Sequence, residues 1–162
     1  MMLHVATHRR DRIQMSPAEL GEFLREEHRM TVATSGPLGR PHLMPVHYFL
    51  DADGSLVTWT YGKSQKVVNL ERDPRATLQV EAGDAYEDLR GAMLEADVEL
   101  VREVEEVANI GLRVVARYAG PLAGPGHVPE AARQRVFDQA PKRVGLRFRV
   151  TRAVTWDHRK LS

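Results

Sequence analysis

The chain has 162 residues, the usual size of one domain, so we expect a single hydrophobic core across residues 1–162. A net charge of +1 argues against nucleic-acid binding, and no apolar run approaches the roughly 20 residues that cross a membrane. The absence of cysteine excludes disulfides and thiolate metal sites. The N-terminus lacks the apolar segment of a secretory signal, which predicts a cytoplasmic protein.

The chain opens on a basic segment followed by a helix start. Residues 1–14 contain the run HRRDR at positions 8–12, which predicts a flexible, solvated N-terminal arm. A short amphipathic helix is predicted to begin directly after this arm. Ser16 can cap it, Pro17 suits its first position, and Glu19 completes a capping box.

The next part of the chain consists of β-rich runs separated by turn signals. MTVAT at residues 30–34 and PHLMPVHYFLD at residues 41–51 flank a stretch rich in glycine and proline. Asp-Ala-Asp-Gly at residues 51–54 is a hairpin signal, and SLVTWTY at residues 55–61 follows it. These segments predict three antiparallel strands joined by short turns.

Helices and strands alternate through the rest of the chain. KVVNLERDP predicts a short helix that ends before its proline, and ATLQVE and DLRGAMLEADVELV predict two more strands. Apolar residues then recur at helical spacing in residues 102–120 and 129–139, which predicts two longer helices.

The last predicted element is the strand KRVGLRFRVTRAVTWDH at residues 142–158. Apolar and charged side chains alternate along it, so we expect Leu146, Phe148 and Val150 in the core. Six to seven antiparallel strands with helices inserted between them predict a mainly β fold, a small β-barrel covered by helices.

The corner between the strand SLVTWTY and the short helix is rich in hydrogen-bond donors: Thr60, Lys63, Ser64, Gln65 and Lys66. A helix N-terminus offers unpaired N–H groups and a partial positive charge, both of which attract phosphate. The chemistry alone leaves two interpretations open. The cluster is either an anion site, or a helix start in which the serine caps the helix and the lysines are solvated.

The strand PHLMPV is a second candidate. Pro45 removes a hydrogen-bond donor from a strand, so it belongs at a sheet edge, at a bulge, or where a ligand meets the backbone. His42 and His47 are five residues apart, which places them on opposite faces of a strand and argues against a shared metal. Without an HExxH motif or a nucleophile elbow, neither a catalytic metal nor a hydrolase is expected.

Taken in order, these motifs resemble a known family. The segments GRPHLMPV, DGSLVTWT, GKSQKVVNLERDPR and RAVTWDH match the pyridoxamine 5′-phosphate oxidase-like superfamily of flavin and deazaflavin oxidoreductases. The resemblance spans Ser16 to Lys160 and is greatest to the branch that uses the deazaflavin F420, while other relatives use FMN. It implies an FMN-binding-like split β-barrel and a homodimer with two cofactor sites at the subunit interface.

The resemblance also implies roles for individual residues. Beside the tricyclic ring would lie Met44, Pro45, Val46 and His47. The cofactor phosphate would be held by Thr60, Lys63, Ser64, Gln65 and Lys66. Gln79 would approach the ring or the ribityl chain, and Arg90 and Trp156 would close the site from the partner subunit. One departure from the family concerns Val68, where related sequences often carry an arginine.

Three functions are compatible with this resemblance. The first is an F420-dependent reductase that transfers a hydride between the deazaflavin and a small organic substrate, with the cofactor supplying the chemistry. Arg9, Arg10 and Arg12 would then offer a basic groove for the oligoglutamate tail of F420. The second is an FMN-dependent oxidase or reductase, and the third is a non-catalytic carrier of a cofactor or a tetrapyrrole.

Overall fold

The computed structural model describes residues 9–118 and 127–161, and residues 1–8 of the predicted arm lie outside this part. Its strands are β1 (Arg29–Ser35), β2 (Pro41–His47), β3 (Phe49–Leu50), β4 (Leu56–Tyr61), β5 (Arg75–Ala82), β6 (Arg90–Val101) and β7 (Arg143–Asp157). Within the described residues they form one antiparallel sheet in the order β2-β1-β5-β6-β7-β4-β3. The predicted barrel of six to seven antiparallel strands is confirmed.

The two edges of the sheet are consecutive in sequence, because only Tyr48 separates β2 from β3. The Tyr48 amide donates a hydrogen bond to the His28 carbonyl (3.2 Å), and the Thr58 hydroxyl donates one to the His47 carbonyl (2.5 Å). The sheet therefore curls round until its two edges approach each other, and it forms a half-barrel.

The helices are α1 (Arg9–Arg12), α2 (Pro17–Glu26), α3 (Gln65–Arg72), α4 (Val104–Tyr118) and α5 (Glu130–Gln139). The predicted capping box is present at the start of α2. The Glu19 amide donates to Ser16 Oγ (3.2 Å), and the Ser16 amide donates to the Glu19 carboxylate (2.6 Å). Among the described residues, no helix is both long and apolar enough to cross a membrane.

Apolar side chains form two clusters on the two faces of the sheet. Leu78, Leu94, Leu146 and Phe148 are fully buried inside the barrel. The outer face of β4 and β7 is covered by α4, whose buried residues include Val107, Ile110 and Val114. Glycine at position 111 lets this helix approach the sheet, because a Cβ there would lie 2.7 Å from the Trp59 ring.

The inward alternation of β7 stops earlier than its sequence predicts. Leu146 and Phe148 are buried as expected, but Val150 is 37% exposed, so its predicted place in the core was wrong. The register of β6 and β7 shifts here: Ala96 lies opposite Val150, whereas Glu95 lies opposite Arg152. Such a bulge bends a strand, and it marks the end of the barrel interior along β7.

Candidate functional site

Ser64 occupies the N-cap position of α3 but does not cap the helix with its side chain. Its carbonyl accepts hydrogen bonds from the amides of Val67 (3.0 Å) and Val68 (3.2 Å). The amides of Gln65 and Lys66 come before these bonds in the chain, and the first amides of a helix have no intrahelical partner. The Ser64 Oγ atom is buried and has no hydrogen-bond partner among the described residues. Capping therefore does not explain this serine.

Lys66 is a buried cation on the first turn of the same helix. The residue is only 7% exposed, and its ammonium donates a hydrogen bond to Thr60 Oγ1 (3.0 Å). No carboxylate pairs with it among the described residues. Burial lowers the pKa of Lys66 because the charged form loses its hydration. An anion bound here would supply the missing counter-charge.

A chain of amides ties α3 to the barrel. Gln65 Nε2 donates to Asn69 Oδ1 (2.9 Å), and Asn69 Nδ2 donates to Thr34 Oγ1 on β1 (3.0 Å). Asn69 is fully buried, and Thr34 is buried too. Neither Asn69 nor Thr34 was among the predicted site residues, although side chains four residues apart on a helix, such as Gln65 and Asn69, are neighbours.

His42 is a third residue that was not among the predicted site residues. It lies directly opposite Thr34 in the pairing of β1 and β2, so the two side chains share the inner face of the sheet. Its Nδ1 atom is buried and has no partner among the described residues. His47 lies opposite Arg29, so the two histidines point to opposite faces of β2.

The predicted ring-binding residues divide between the two faces of β2. This strand is at the sheet edge, one of the three places expected for Pro45. Val46 faces inward with Met30, and Met44 faces the same way opposite Val32 but is 42% exposed. Pro45 and His47 face outward, and the His47 ring stacks on Tyr118 at a centroid distance of 4.5 Å.

Pro45 and Gln79 come together on the outer face, where both lie opposite Thr31. They line an open cavity of about 390 Å³ that also includes Glu27 and Glu81. Gln79 Nε2 donates to the Glu81 carboxylate (2.9 Å). The strands thus bring together two residues that are 34 positions apart and were predicted to contact the same cofactor.

Within one chain, Arg90 and Trp156 pack on their own subunit. The Arg90 guanidinium pairs with Glu26 (2.7 Å) and lies over the Phe23 ring (4.9 Å). The Trp156 ring covers Gly91, where any Cβ would collide with it. Their contact with a cofactor across a subunit interface stays a prediction.

Among the described residues, no group of three histidine or acidic side chains could hold a metal ion. What the site offers instead is a buried ammonium, two buried polar atoms without partners, and the first amides of α3. This donor set suits a phosphate oxygen.

The sequence of residues 16–157 matches the family model described as pyridoxamine 5′-phosphate oxidase. The chain belongs to this family. No match was found among curated proteins. The fold of the family, a split β-barrel, agrees with the curled seven-stranded sheet.

Solved structures with similar folds differ in what they are described to do. A conserved hypothetical protein from Mycobacterium tuberculosis is 40% identical, with a TM-score of 0.82 over 96% of this chain and 92% of its own. An F420 reductase is 24% identical, with a TM-score of 0.61 over 82% of this chain and 93% of its own. HutZ, a haem storage protein from Vibrio cholerae, is 14% identical, with a TM-score of 0.63 over 88% of this chain and 96% of its own.

Proposed function

We propose that this member of the family is an F420-dependent oxidoreductase acting on a small organic substrate. The observation that carries the proposal is the pairing of a buried ammonium, Lys66, with a buried hydroxyl without a partner, Ser64, at the start of one helix. Both groups are costly without a ligand: the Ser64 hydroxyl loses its hydration without gaining a hydrogen-bond partner, and the Lys66 ammonium is buried without a counter-charge among the described residues. A phosphate oxygen would satisfy both.

The residues of the chain would bind and orient the cofactor, which supplies the hydride when bound. Lys66, Ser64 and the first amides of α3 would hold its phosphate, and His42 would add a donor from β2. Met44, on the inner face of β2 with His42, would flank the ring and shield it from water. No side chain here has to act as a nucleophile. The shape of the space left beside the bound ring would determine which hydride acceptor fits.

The charge at the corner favours F420 over FMN. The phosphate of FMN is a monoester with close to two negative charges at neutral pH, whereas that of F420 is a diester with one. Lys66 is the one buried lysine among the described residues, and Val68 replaces the arginine expected from related sequences. A single ammonium balances a single charge. The F420 reductase of similar fold is consistent with this choice.

We also propose a homodimer. Strand β2 presents Leu43, 57% exposed, and Met44, 42% exposed, along an unpaired sheet edge. Exposed apolar side chains on such an edge are a liability unless another surface covers them. Light scattering should give a mass about twice the 18.3 kDa of one chain. A mass of one chain at micromolar concentration would contradict the dimer.

Titration of the purified protein with F420 and with FMN separates the candidate functions. We expect saturable quenching of F420 fluorescence and much weaker quenching of FMN. Tighter binding of FMN would favour the second function, an FMN-dependent oxidase or reductase. Binding without turnover of any substrate would favour a carrier, as in the haem storage protein of similar fold. If neither fluorophore responded, the proposal would be wrong.

A further inference from the structure

A second concentration of positive charge lies on the outer face of the barrel. A cavity of about 630 Å³, within the usual range for small-molecule sites, opens there between the end of β4, the turn after it, and the start of β7. The functional groups that line it are Tyr61, Lys63, Arg102, Lys142 and Arg143. No acidic residue of the described chain lines this cavity.

Three of these cations lack a counter-ion. Arg102 pairs with Glu71 (2.5 Å), but Lys63, Lys142 and Arg143 form no ion pair among the described residues. Scattered surface lysines need no explanation because water solvates them. Here the cations line one concave surface. Their like charges repel one another there, and together they attract a ligand of opposite charge.

Arg143 is held in place without using its hydrogen-bond donors. Its guanidinium lies 4.2 Å from the ring centroids of both Trp59 and Tyr61, and its Nε atom is buried without a partner. Cation–π contacts of this kind orient the guanidinium plane. An oriented guanidinium with free N–H groups is prepared to bind a carboxylate or a phosphate in a bidentate manner.

A backbone hydrogen bond joins the two chain segments that carry Lys63 and Lys142. The Gly62 amide donates to the Lys142 carbonyl (3.0 Å), which joins the turn after β4 to the turn before β7. Lys142 takes part in this bond through its carbonyl, and Lys63 directly follows Gly62. The fold itself therefore brings the backbones of these two lysines to the rim of the same cavity.

This cavity is separate from the proposed phosphate site at Ser64 and Lys66 (the corner), although residues of the two sites are neighbours in sequence. Thr60 lies opposite Val144 on the inner face of the sheet, where it accepts the bond from Lys66. Tyr61 lies opposite Arg143, and successive residues of a strand point to opposite faces. One strand thus separates the two cationic groups.

We propose that this cavity is a second binding site, for a small molecule with two or more negative charges. The recognising chemistry is three unpaired cations around an oriented guanidinium, with the exposed Tyr61 ring as one wall. Carboxylates and phosphates both meet this requirement. The site does not depend on the function proposed above, because it shares neither Lys66 nor Ser64 with the corner.

Calorimetric titration of the full chain with citrate and with tripolyphosphate, at constant ionic strength, tests this proposal. We expect 1:1 binding of at least one of them, and the preferred probe tells carboxylate from phosphate ligands. The double variant Lys63→Gln with Lys142→Gln should bind at least tenfold more weakly. A matched control, Arg149→Gln with Arg152→Gln, removes two exposed charges elsewhere and should bind as the unmodified protein does.

The variant Lys66→Met tests whether this site is distinct from the corner. Undiminished binding of the probe in this variant supports a second site, whatever the outcome with F420 or FMN. The proposal is overturned if neither probe gives saturable binding, if the control double variant loses as much affinity as the test variant, or if Lys66→Met alone removes the binding.

Discussion

Replacing Lys66 with methionine should weaken cofactor binding at least about 30-fold without lowering the stability of the empty protein. Truncating one partner of a buried charge pair costs roughly 2–5 kcal/mol, and the phosphate would lose its ammonium partner here. In the protein alone, in contrast, no carboxylate of the described residues pairs with this ammonium. An apolar side chain of similar length in place of a buried ion is often neutral or stabilising.

The pH dependence of this stability effect has a definite sign. Burial lowers the pKa of Lys66 in the folded protein, so the folded state binds this proton less tightly than the unfolded chain does. The penalty is therefore complete below the folded pKa, and it disappears as the pH rises from the folded pKa towards the unfolded value of about 10.4. Urea denaturation of both proteins at neutral pH and near pH 10 should show the advantage of Lys66→Met shrinking.

Lys63→Met is the control for the binding measurement. It removes the same charge three residues earlier, but from a side chain that lines the outer cavity. We expect this variant to bind F420 within about twofold of the unmodified protein. Equal losses in both variants would mean that the two lysines act on one phosphate. Unchanged binding in Lys66→Met would show that the phosphate lies elsewhere.

The separation of these two lysines could not be predicted from sequence. Residues three apart on a helix share a face, which made Lys63 and Lys66 look like one cluster. Lys63, however, precedes the N-cap. Its direction is set by a turn in which the Ser64 amide donates to the Tyr61 carbonyl (3.0 Å). Lys63 therefore lines the outer cavity, whereas Lys66 on the first turn of α3 donates to Thr60 on the inner face.

The barrel and its edge strand were predictable because local patterns determine them. Alternating apolar residues define β1, β4 and β7, and the proline inside β2 made an edge one of the places expected for that strand. Contacts that depend on register were not predictable. Thr34 meets Asn69 across 35 positions, and His42 joins them only because β1 and β2 pair with Thr34 opposite His42. No short-range sequence pattern predicts such long-range contacts.

Phe148→Ala should have the largest effect on stability, a loss of roughly 3–5 kcal/mol in the free energy of unfolding. The ring is fully buried inside the barrel, where the residue lies opposite Leu56 on β4 and Val98 on β6. Truncation would leave a cavity between three strands that hydrogen bonds hold at fixed spacing, so the barrel cannot collapse to fill it. Urea denaturation monitored by tryptophan fluorescence measures the change.

Val150→Ala is the matched control on the same strand. The alternation of the sequence gives Val150 the same inward direction as Phe148, but the bulge opposite Glu95 and Ala96 leaves it 37% exposed. Its truncation should therefore cost less than about 1 kcal/mol, since little apolar area returns to water. A loss at Val150 comparable to a buried residue would mean that the barrel interior extends past the bulge. A loss below about 1 kcal/mol at Phe148 would mean that the faces of β7 are reversed.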